Sequence, residues 1–330
     1  MEDYKKLIDI CQGKHIYIQT HNFPDPDAIA SAYGLQKLLA SFNIPSTICY
    51  AGKIDKLSTK KMTEIFEIEM YSYDEIQSSM HEDDYIICVD SQKNGGNITD
   101  FIGDEIACID HHPTYEDCDY LYSDIRLVGS CSTLITDYFR QLGITMDVLT
   151  ATALFYGLKM DTLQLSRGVH QEDIEAFTYL FYLKDDHLIS RIEKNSIEFH
   201  DLKAYGAAIE NIKLYGKVGF AAIPFSCPDA LIAIISDFIL QLNEVDLTVI
   251  YAYRQDGIKF SLRSENPDIH AGEVIHHALR HYGNGGGHPS MSGGLIPKEM
   301  VRLLGNYPDD KIRDLFLDVL YQYKDELQLD

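Results

Sequence analysis

The sequence predicts an α/β protein with two domains: an N-terminal doubly wound, mainly parallel sheet, and a smaller C-terminal α+β domain. Three observations carry this prediction. Short apolar runs alternate with helical patterns through the first half of the chain. Two of these runs, residues 84–90 and 105–110, are apolar on both faces, which is typical of strands in a buried parallel sheet. At 330 residues, the chain is long enough for two domains.

The elements and domain limits follow from these patterns. Residues 1–190 form the first predicted domain, with strands at 15–20, 46–50, 84–90 and 105–110 and helices at 28–39, 132–142, 147–160 and 172–183. Residues 191–212 are polar with a helical pattern and are predicted to be a linker. Residues 213–330 form the second domain, with strands at 215–225, 247–253, 258–264 and 292–296, helices at 230–242 and 269–282, and a hairpin turn at 254–257.

Composition excludes several classes of protein. The formal charge is −23, from 51 acidic and 28 basic residues, so a broad basic surface for long nucleic acid is not expected. The seven cysteines are scattered singly, which fits reduced thiols in a cytoplasmic protein. The N-terminus lacks the shape of a signal peptide, and no membrane span is expected. The oligomeric state is left open, with a homodimer as one alternative.

The most informative stretch joins the first predicted strand to the first predicted helix, and it contains His21, Asp25 and Asp27. Ligands of open α/β sheets bind at such turns. Its two prolines are expected to hold the preceding residues, Phe23 and Asp25, in extended conformations, so that Asp25 and Asp27 project to the same side. Because two close carboxylates repel each other, this stretch indicates a site for a hard divalent metal. The alternative is that Asp27 serves only as the N-cap of the helix.

Further acids and histidines follow later strands and a helix. Asp90 ends one predicted strand, Asp110 ends the next, and His111 and His112 come directly after it. Parallel strands bring these ends to the same edge of the sheet. Asp161 lies at the end of a predicted helix, where negative charge is unfavourable without a nearby cation. The alternatives are that the strand-end acids are turn or cap residues and that Asp161 is an ordinary loop residue.

The second domain carries a glycine-rich segment around Gly285 and His288, between a predicted helix and strand. We expect a loop whose backbone N–H groups form a concave nest for phosphate. His288 adds a donor, and Arg263 ends a strand of the same domain and could bind the same anion. The alternative is a flexible linker of similar composition.

Together these motifs resemble a known family. The Asp110-His111-His112 sequence, with His21-x-x-x-Asp25-x-Asp27 upstream and Asp90 and Asp161 at their positions, resembles the DHH phosphoesterase superfamily. The glycine-rich segment resembles the C-terminal DHH-associated domain of the RecJ-like branch. Length and domain pairing look most like the bacterial nanoRNase and 3′-phosphoadenosine-5′-phosphate (pAp) phosphatase subfamily. The resemblance places the active site in a cleft between the two domains.

The resemblance also implies two manganese ions, with Mg²⁺ or Co²⁺ as substitutes. One ion is expected on His21, Asp25 and Asp90. The other is expected on Asp27, Asp90, His111 and Asp161, with Asp90 bridging. Mixed histidine and carboxylate ligands suit manganese better than magnesium.

Catalytic and substrate-binding roles follow from the same resemblance. Asp90 and His111 are catalytic through the metals, His112 is expected nearer the scissile phosphate, and Asp110 is expected to orient the two histidines. Substrate contacts are expected from residues of the second domain: Arg263, Ser264, Gly285, Gly286, Gly287 and His288.

The expected function is that of a hydrolase: a manganese-dependent exonuclease that cleaves very short oligoribonucleotides, including linear dinucleotides such as pApA, to nucleoside 5′-monophosphates. It is also expected to act as a pAp phosphatase. The alternatives are a polyphosphate or pyrophosphate phosphohydrolase, a cyclic-dinucleotide phosphodiesterase, and a nucleotide-binding protein without activity.

Overall fold

The structure, a computed structural model, describes residues 2–54, 57–114, 118–194 and 198–329. The chain divides into two compact units, Met1–Ser196 and Ile197–Asp330, here called the N-terminal and C-terminal units. The predicted limits of the two domains and of their linker stay a prediction. Within the described ranges, no helix is long and apolar enough to cross a membrane.

The N-terminal unit is built on one six-stranded sheet. Its strands are β1 (Ile16–Thr20), β2 (Ser46–Tyr50), β3 (Met70–Ser72), β4 (Tyr85–Val89), β5 (Asp104–Asp110) and β6 (Tyr122–Ile125). Its helices are α1 (Glu2–Cys11), α2 (Pro26–Ala40), α3 (Leu57–Ile65), α4 (Tyr73–Ile76), α5 (Cys131–Leu142), α6 (Val148–Asp161), α7 (Gln171–Phe181) and α8 (Asp186–Glu193).

All strand pairs of this sheet are parallel, in the order β3-β2-β1-β4-β5-β6. Alternate side chains enter two cores: Ile18 and Ile87 pack in the large core with most of the helices, whereas Tyr17 and Cys88 pack on the opposite face. The predicted doubly wound parallel sheet is therefore confirmed. The strand order reverses between β1 and β4, and in open α/β sheets ligands bind outside the carboxyl ends of the strands at such a reversal.

The C-terminal unit contains a second six-stranded sheet. Its strands are β7 (Lys213–Tyr215), β8 (Val218–Ile223), β9 (Leu247–Tyr253), β10 (Gly257–Ser264), β11 (Asn284–Gly287) and β12 (Met291–Pro297). Its helices are α9 (Leu202–Asn211), α10 (Asp229–Ile239), α11 (Ala271–Leu279), α12 (Lys298–Val301) and α13 (Pro308–Leu320), with 3₁₀ turns at Phe199–Asp201, Arg302–Leu304 and Tyr321–Tyr323. The strand order is β11-β12-β10-β9-β8-β7, and only the β8–β9 pair is parallel in this sheet as described.

The glycine-rich segment corrects one prediction. Instead of a concave loop, Gly285, Gly286 and Gly287 lie in strand β11, which pairs antiparallel with β12. The glycines have a packing role, because a Cβ at Gly285 would lie 2.9 Å from Ile275 of α11. Likewise, a Cβ at Gly272 of α11 would lie 2.3 Å from the carbonyl oxygen of Gly287. Helix α11 can therefore approach the backbone of β11 closely.

Candidate metal centre and active site

The turn from β1 to α2 places Asp25 at the N-terminus of the helix. Asp25 is extended (φ −96°, ψ −179°), and its Oδ1 accepts hydrogen bonds from the N–H groups of Asp27 at 2.9 Å and Ala28 at 3.1 Å. The N-cap is therefore Asp25, and the alternative that Asp27 caps the helix is wrong. The expected extended conformation is found for Asp25 but is wrong for Phe23, whose φ is 56°.

Asp27 lies in the first turn of α2 and is held by a second helix. Its Oδ2 accepts a hydrogen bond from the N–H of Cys131 at 2.7 Å, and its Oδ1 accepts one from the N–H of Ser132 at 3.0 Å. Both donors belong to the N-terminus of α5, where the helix dipole favours a negative charge. Burial and the neighbouring charges of Asp90 and Asp161 nevertheless raise the pKa of Asp27 well above its usual value. A cation beside these carboxylates would relieve that repulsion.

Asp90, directly after β4, is the centre of the site. It is buried and has a left-handed backbone conformation, with φ 59°. Its Oδ2 lies 3.6 Å from Nε2 of His21, and its Oδ1 lies 3.2 Å from Nε2 of His111. Among the residues that the structure describes, Oδ1 has no hydrogen-bond partner. Since buried polar atoms are normally paired, this oxygen requires either a proton on Nε2 of His111 or a cation as its partner.

His21 and His111 are held in the same way, each by a hydrogen bond from Nδ1 to a backbone carbonyl. Nδ1 of His21 donates to the carbonyl oxygen of Asn22 at 2.8 Å, and Nδ1 of His111 donates to that of Val128 at 3.0 Å. In the neutral imidazole, the lone pair is then on Nε2, which faces carboxylate oxygens. A lone pair against a carboxylate is repulsive unless a proton or a cation lies between them. Metal-binding histidines commonly donate their other N–H to a carbonyl or carboxylate, so both residues fit a metal ion.

Ligand atoms within 4.8 Å of one another form three overlapping groups: His21, Asp25 and Asp90; Asp27, His111 and Asp161; and Asp90, His111 and His112. The structure thus brings together all six residues predicted to bind metal. The first group is the set predicted for one ion, and the second contains the ligands predicted for the other, apart from the bridging Asp90. The donor set fits two divalent cations that share Asp90.

His112 has a different environment from His111. Its Nδ1 donates to Oδ1 of Asp110 at 2.9 Å, and this hydrogen bond raises the pKa of His112. Gln92 donates to Oδ2 of the same carboxylate at 2.7 Å and to the carbonyl oxygen of His112 at 3.1 Å. Asp110 and Gln92 therefore orient the half-exposed His112, while its Nε2 takes no part in these contacts. Sequence reasoning missed Gln92, although it stands two residues after Asp90.

A second residue that sequence reasoning missed is Arg167. Its Nη2 donates to the carbonyl oxygen of Asp161 at 2.6 Å and to its Oδ1 at 3.1 Å. The other carboxylate oxygen of Asp161, Oδ2, lies 3.3 Å from Nε2 of His111. Between the two residues, Leu163, Gln164 and Leu165 have positive φ values of 46°, 59° and 65°. This left-handed turn brings Arg167 back to Asp161, and no local sequence pattern indicates such a turn.

Comparisons with known proteins agree with this geometry. The model of the DHH family N-terminal domain matches residues 15–158, and that of the DHHA1 domain matches residues 216–314. The chain belongs to the DHH superfamily of phosphoesterases. The predicted resemblance is confirmed, including the pairing of a DHH domain with the DHH-associated domain.

Two relatives and one solved structure show the extent of the similarity. The chain is 29% identical over 318 residues to the uncharacterized protein MJ1633 of Methanocaldococcus jannaschii, covering 92% of this chain and 64% of that protein. It is 28% identical over 293 residues to the probable bifunctional oligoribonuclease and PAP phosphatase NrnA of Streptococcus mutans, covering 84% of this chain and 88% of that protein. The crystal structure of an exopolyphosphatase-related protein from Bacteroides fragilis has a TM-score of 0.77 at 21% identity, covering 99% of this chain and 97% of that one.

Residues predicted to bind substrate lie near one another in the DHHA1 domain. Arg263 of β10 is the register partner of Met291 in β12, and the N–H of His288 donates to the carbonyl oxygen of Met291 at 2.8 Å. Arg263 and His288 therefore lie at the same end of the sheet. Ser264, the next residue, donates its hydroxyl to the carbonyl oxygen of Asn266 at 3.2 Å. Arg263 also forms an ion pair with the exposed Asp237, a surface contact of small net energy that a phosphate could replace.

Manganese binding to the DHH domain is expected to release protons and to strengthen as pH rises. Burial lowers the pKa of His21, but hydrogen bonding to Asp25 and the charge of Asp90 outweigh it and raise this pKa to about 9. Burial likewise opposes protonation of His111, but Asp90, Asp27 and Asp161 raise its pKa to about 11. Both rings are therefore protonated at neutral pH without a cation, and a metal must displace these protons.

Isothermal titration with Mn²⁺ at pH 6 to 9, in buffers of different ionisation enthalpy, measures the affinity and the released protons. Affinity that is independent of pH, with no proton release, would contradict the ligand assignment. The raised pKa of His21 has a second consequence. Protonated His21 stabilises the cation-free fold. This stabilisation is fully present below pH 6.5, the usual pKa of histidine, and is lost as pH rises through about 9.

Proposed function

We propose that this protein is a manganese-dependent phosphodiesterase that releases nucleoside 5′-monophosphates from very short oligoribonucleotides, including linear dinucleotides. The observation that carries the proposal is the buried Asp90 carboxylate between Nε2 of His21 and Nε2 of His111, with one oxygen unpaired within the described chain. This arrangement suits two cations that share one carboxylate. The name of the Streptococcus mutans relative, which includes oligoribonuclease and PAP phosphatase, supports the substrate class and adds pAp as a second substrate.

The metal ligands are proposed as two sets. His21, Asp25 and Asp90 hold one ion, and Asp27, Asp90, His111 and Asp161 hold the other. When bound, two such cations polarise the phosphate and lower the pKa of a water molecule, so that a nucleophile is available near neutral pH. Several ligands are held in place by the protein: Asp25 and Asp27 accept hydrogen bonds from backbone N–H groups, and Asp161 accepts one from the Arg167 side chain.

His112 is proposed to contact the scissile phosphate. The hydrogen bond from Nδ1 to Asp110 fixes the ring, and the raised pKa favours the imidazolium. Its Nε2–H can then donate to a phosphate oxygen, or give its proton to the departing ribose oxygen. Arg263 and His288 of the DHHA1 domain are proposed to hold another phosphate of the substrate, with Ser264 and the backbone of Gly285, Gly286 and Gly287 alongside.

Substrate length is the experiment that tests this function. With a formal charge of −23, the protein should repel a long phosphate backbone, so affinity should not grow with the number of phosphates. End-labelled RNAs of two to twenty nucleotides, incubated with Mn²⁺, should show fastest cleavage from dinucleotides to about five-mers, with mononucleotides as first products. Faster cleavage of twenty-mers, or internal first cuts, would contradict the proposal.

Two further substrates distinguish the alternatives. Release of phosphate from pAp would support the second proposed activity. Faster hydrolysis of inorganic polyphosphate than of any dinucleotide would favour the polyphosphate phosphohydrolase instead. Asp90→Asn serves as the inactive control in each assay, because it keeps the shape of the side chain while removing its charge.

A further inference from the structure

An exposed aromatic ring lies in the middle of the metal-binding stretch. Phe23 stands two residues after His21 and two residues before Asp25, and 63% of its surface is exposed. Its φ of 56° is in the left-handed region. A bulky residue rarely adopts this conformation, and a residue that precedes a proline normally prefers an extended one. Phe23 is thus both strained and largely outside the hydrophobic core.

The surrounding backbone holds this conformation in place. The N–H of Phe23 donates to the carbonyl oxygen of Ala51 at 2.9 Å, and the N–H of Asn22 donates to that of Asn97 at 2.7 Å. The side-chain oxygen of Asn22 accepts hydrogen bonds from the N–H and the hydroxyl of Thr99 at 3.1 and 3.0 Å. Two other segments of the chain, at Ala51 and at residues 97–99, therefore fix the backbone that carries the Phe23 ring. Strain that neighbouring structure enforces is characteristic of functional sites.

One part of the ring rests on a glycine. A Cβ at Gly52 would lie 2.8 Å from both Cδ1 and Cε1 of Phe23, so only a glycine permits this contact. Gly52 has φ +83°, a conformation that disfavours other residues as well. The glycine supports the ring from one side, and the large exposed fraction leaves the remainder accessible to a ligand.

We propose that Phe23 is a stacking surface for a nucleobase of the substrate whose phosphate binds at the metal centre. Every nucleobase has a π face, so an exposed aromatic ring binds bases without strong sequence preference. The position of Phe23 between two proposed metal ligands places the base next to the scissile phosphate. This inference rests on the proposed function and narrows it: the site selects nucleotides over inorganic polyphosphate, which has no base to stack.

The test distinguishes stacking on the aromatic ring of Phe23 from simple apolar contact with its side chain. Phe23→Leu keeps an apolar side chain without a π face, and Phe23→Tyr keeps the ring. Tyr182→Leu is the matched control, since Tyr182 is 81% exposed and belongs to neither the metal centre nor the proposed surface. Two substrates are compared: a dinucleotide, and the same compound with one base replaced by hydrogen. Mn²⁺ affinity and melting temperature are measured for each variant, to show that the fold and the metal centre persist.

Phe23→Leu is expected to raise KM for the dinucleotide roughly tenfold, which is within the range of base–aromatic stacking, with a smaller change in kcat. The abasic compound should show little difference between wild type and Phe23→Leu, and Phe23→Tyr should retain the discrimination between the two compounds. An equal KM for the dinucleotide in wild type and Phe23→Leu, or an equal loss on both compounds, would overturn the stacking role.

Binding measurements test the stacking role of Phe23 independently of the proposed activity. Affinities of the Mn²⁺-loaded protein for AMP and ribose 5-phosphate are measured without turnover. If wild type binds AMP more tightly than ribose 5-phosphate and Phe23→Leu does not, stacking is supported. This holds even when no dinucleotide is cleaved, because the absence of cleavage would contradict only the proposed activity. Equal affinities for the two ligands overturn the inference even when dinucleotides are cleaved.

Discussion

Replacing Asp90 with alanine is expected to abolish turnover while the fold survives. Asp90 faces Nε2 of both His21 and His111, so its loss removes a ligand from both proposed ions. Mutation of residues that merely support metal ligands typically costs about 10- to 100-fold in activity or metal affinity, and loss of a shared ligand should cost more. Calorimetric titration should show lower manganese stoichiometry or affinity, alongside loss of mononucleotide release from a dinucleotide.

Thermal stability with and without manganese tests the role of Asp90 independently of turnover. Burial and the charge of Asp90 raise the pKa of Asp27, so Asp90→Ala removes one source of repulsion from the cation-free protein. It also removes the attraction between Asp90 and the protonated His21 and His111. Manganese should therefore raise the melting temperature of wild type by linkage but have little effect on Asp90→Ala. Asp83→Ala, at an exposed acid of the same unit, should behave as wild type. Near-full activity of Asp90→Ala with manganese would show that the assignment of two metals sharing Asp90 is wrong.

The metal residues could be predicted from the sequence because the parallel sheet does most of the positioning. Asp90 and His111 follow adjacent parallel strands, β4 and β5, and His21 follows β1 beside β4. Once these runs are recognised as buried parallel strands, their carboxyl ends must meet at one edge. The same reasoning could not find β3 and β6, because these edge strands contain only three and four residues and lack a long apolar run.

Contacts that depend on tertiary structure were beyond sequence reasoning. The sequence predicts a loop for the glycine-rich segment because so many glycines allow a concave nest of N–H groups. Pairing with β12 and close packing against α11 make it a strand instead. Arg167 reaches Asp161 only through a left-handed turn of three non-glycine residues, which local propensity disfavours. The strain at Phe23 was missed for the same reason, since the following proline favours an extended conformation.

Asp173 shows how far support for the metal centre extends beyond its ligands. This fully buried carboxylate accepts hydrogen bonds from the N–H groups of Gly129 at 2.8 Å and His170 at 2.7 Å, and from the hydroxyl of Thr133 at 2.6 Å. It therefore joins the N-terminus of α7 to the segment 128–133. That segment supplies the carbonyl that orients His111 and the two N–H groups that hold the Asp27 carboxylate.

Asp173→Ala is accordingly expected to lower the free energy of unfolding by about 3–7 kcal/mol. The two buried donors, on Gly129 and Thr133, lose their acceptor at roughly 1–3 kcal/mol each, and the partly buried N–H of His170 adds about 1 kcal/mol. Thr133→Val removes one of these hydrogen bonds and should cost about 1 kcal/mol while weakening manganese binding by the shift of the α5 N-terminus. Urea unfolding measures the first effect, and titration with Mn²⁺ measures the second. Glu172→Ala, at an exposed acid one residue earlier in α7, controls for the loss of charge.

If the free energy of unfolding of Asp173→Ala is within about 1 kcal/mol of that of wild type, the buried carboxylate is not what fixes the 128–133 segment. Unchanged manganese affinity in Thr133→Val would likewise show that this segment does not control how Asp27 and His111 bind the metal.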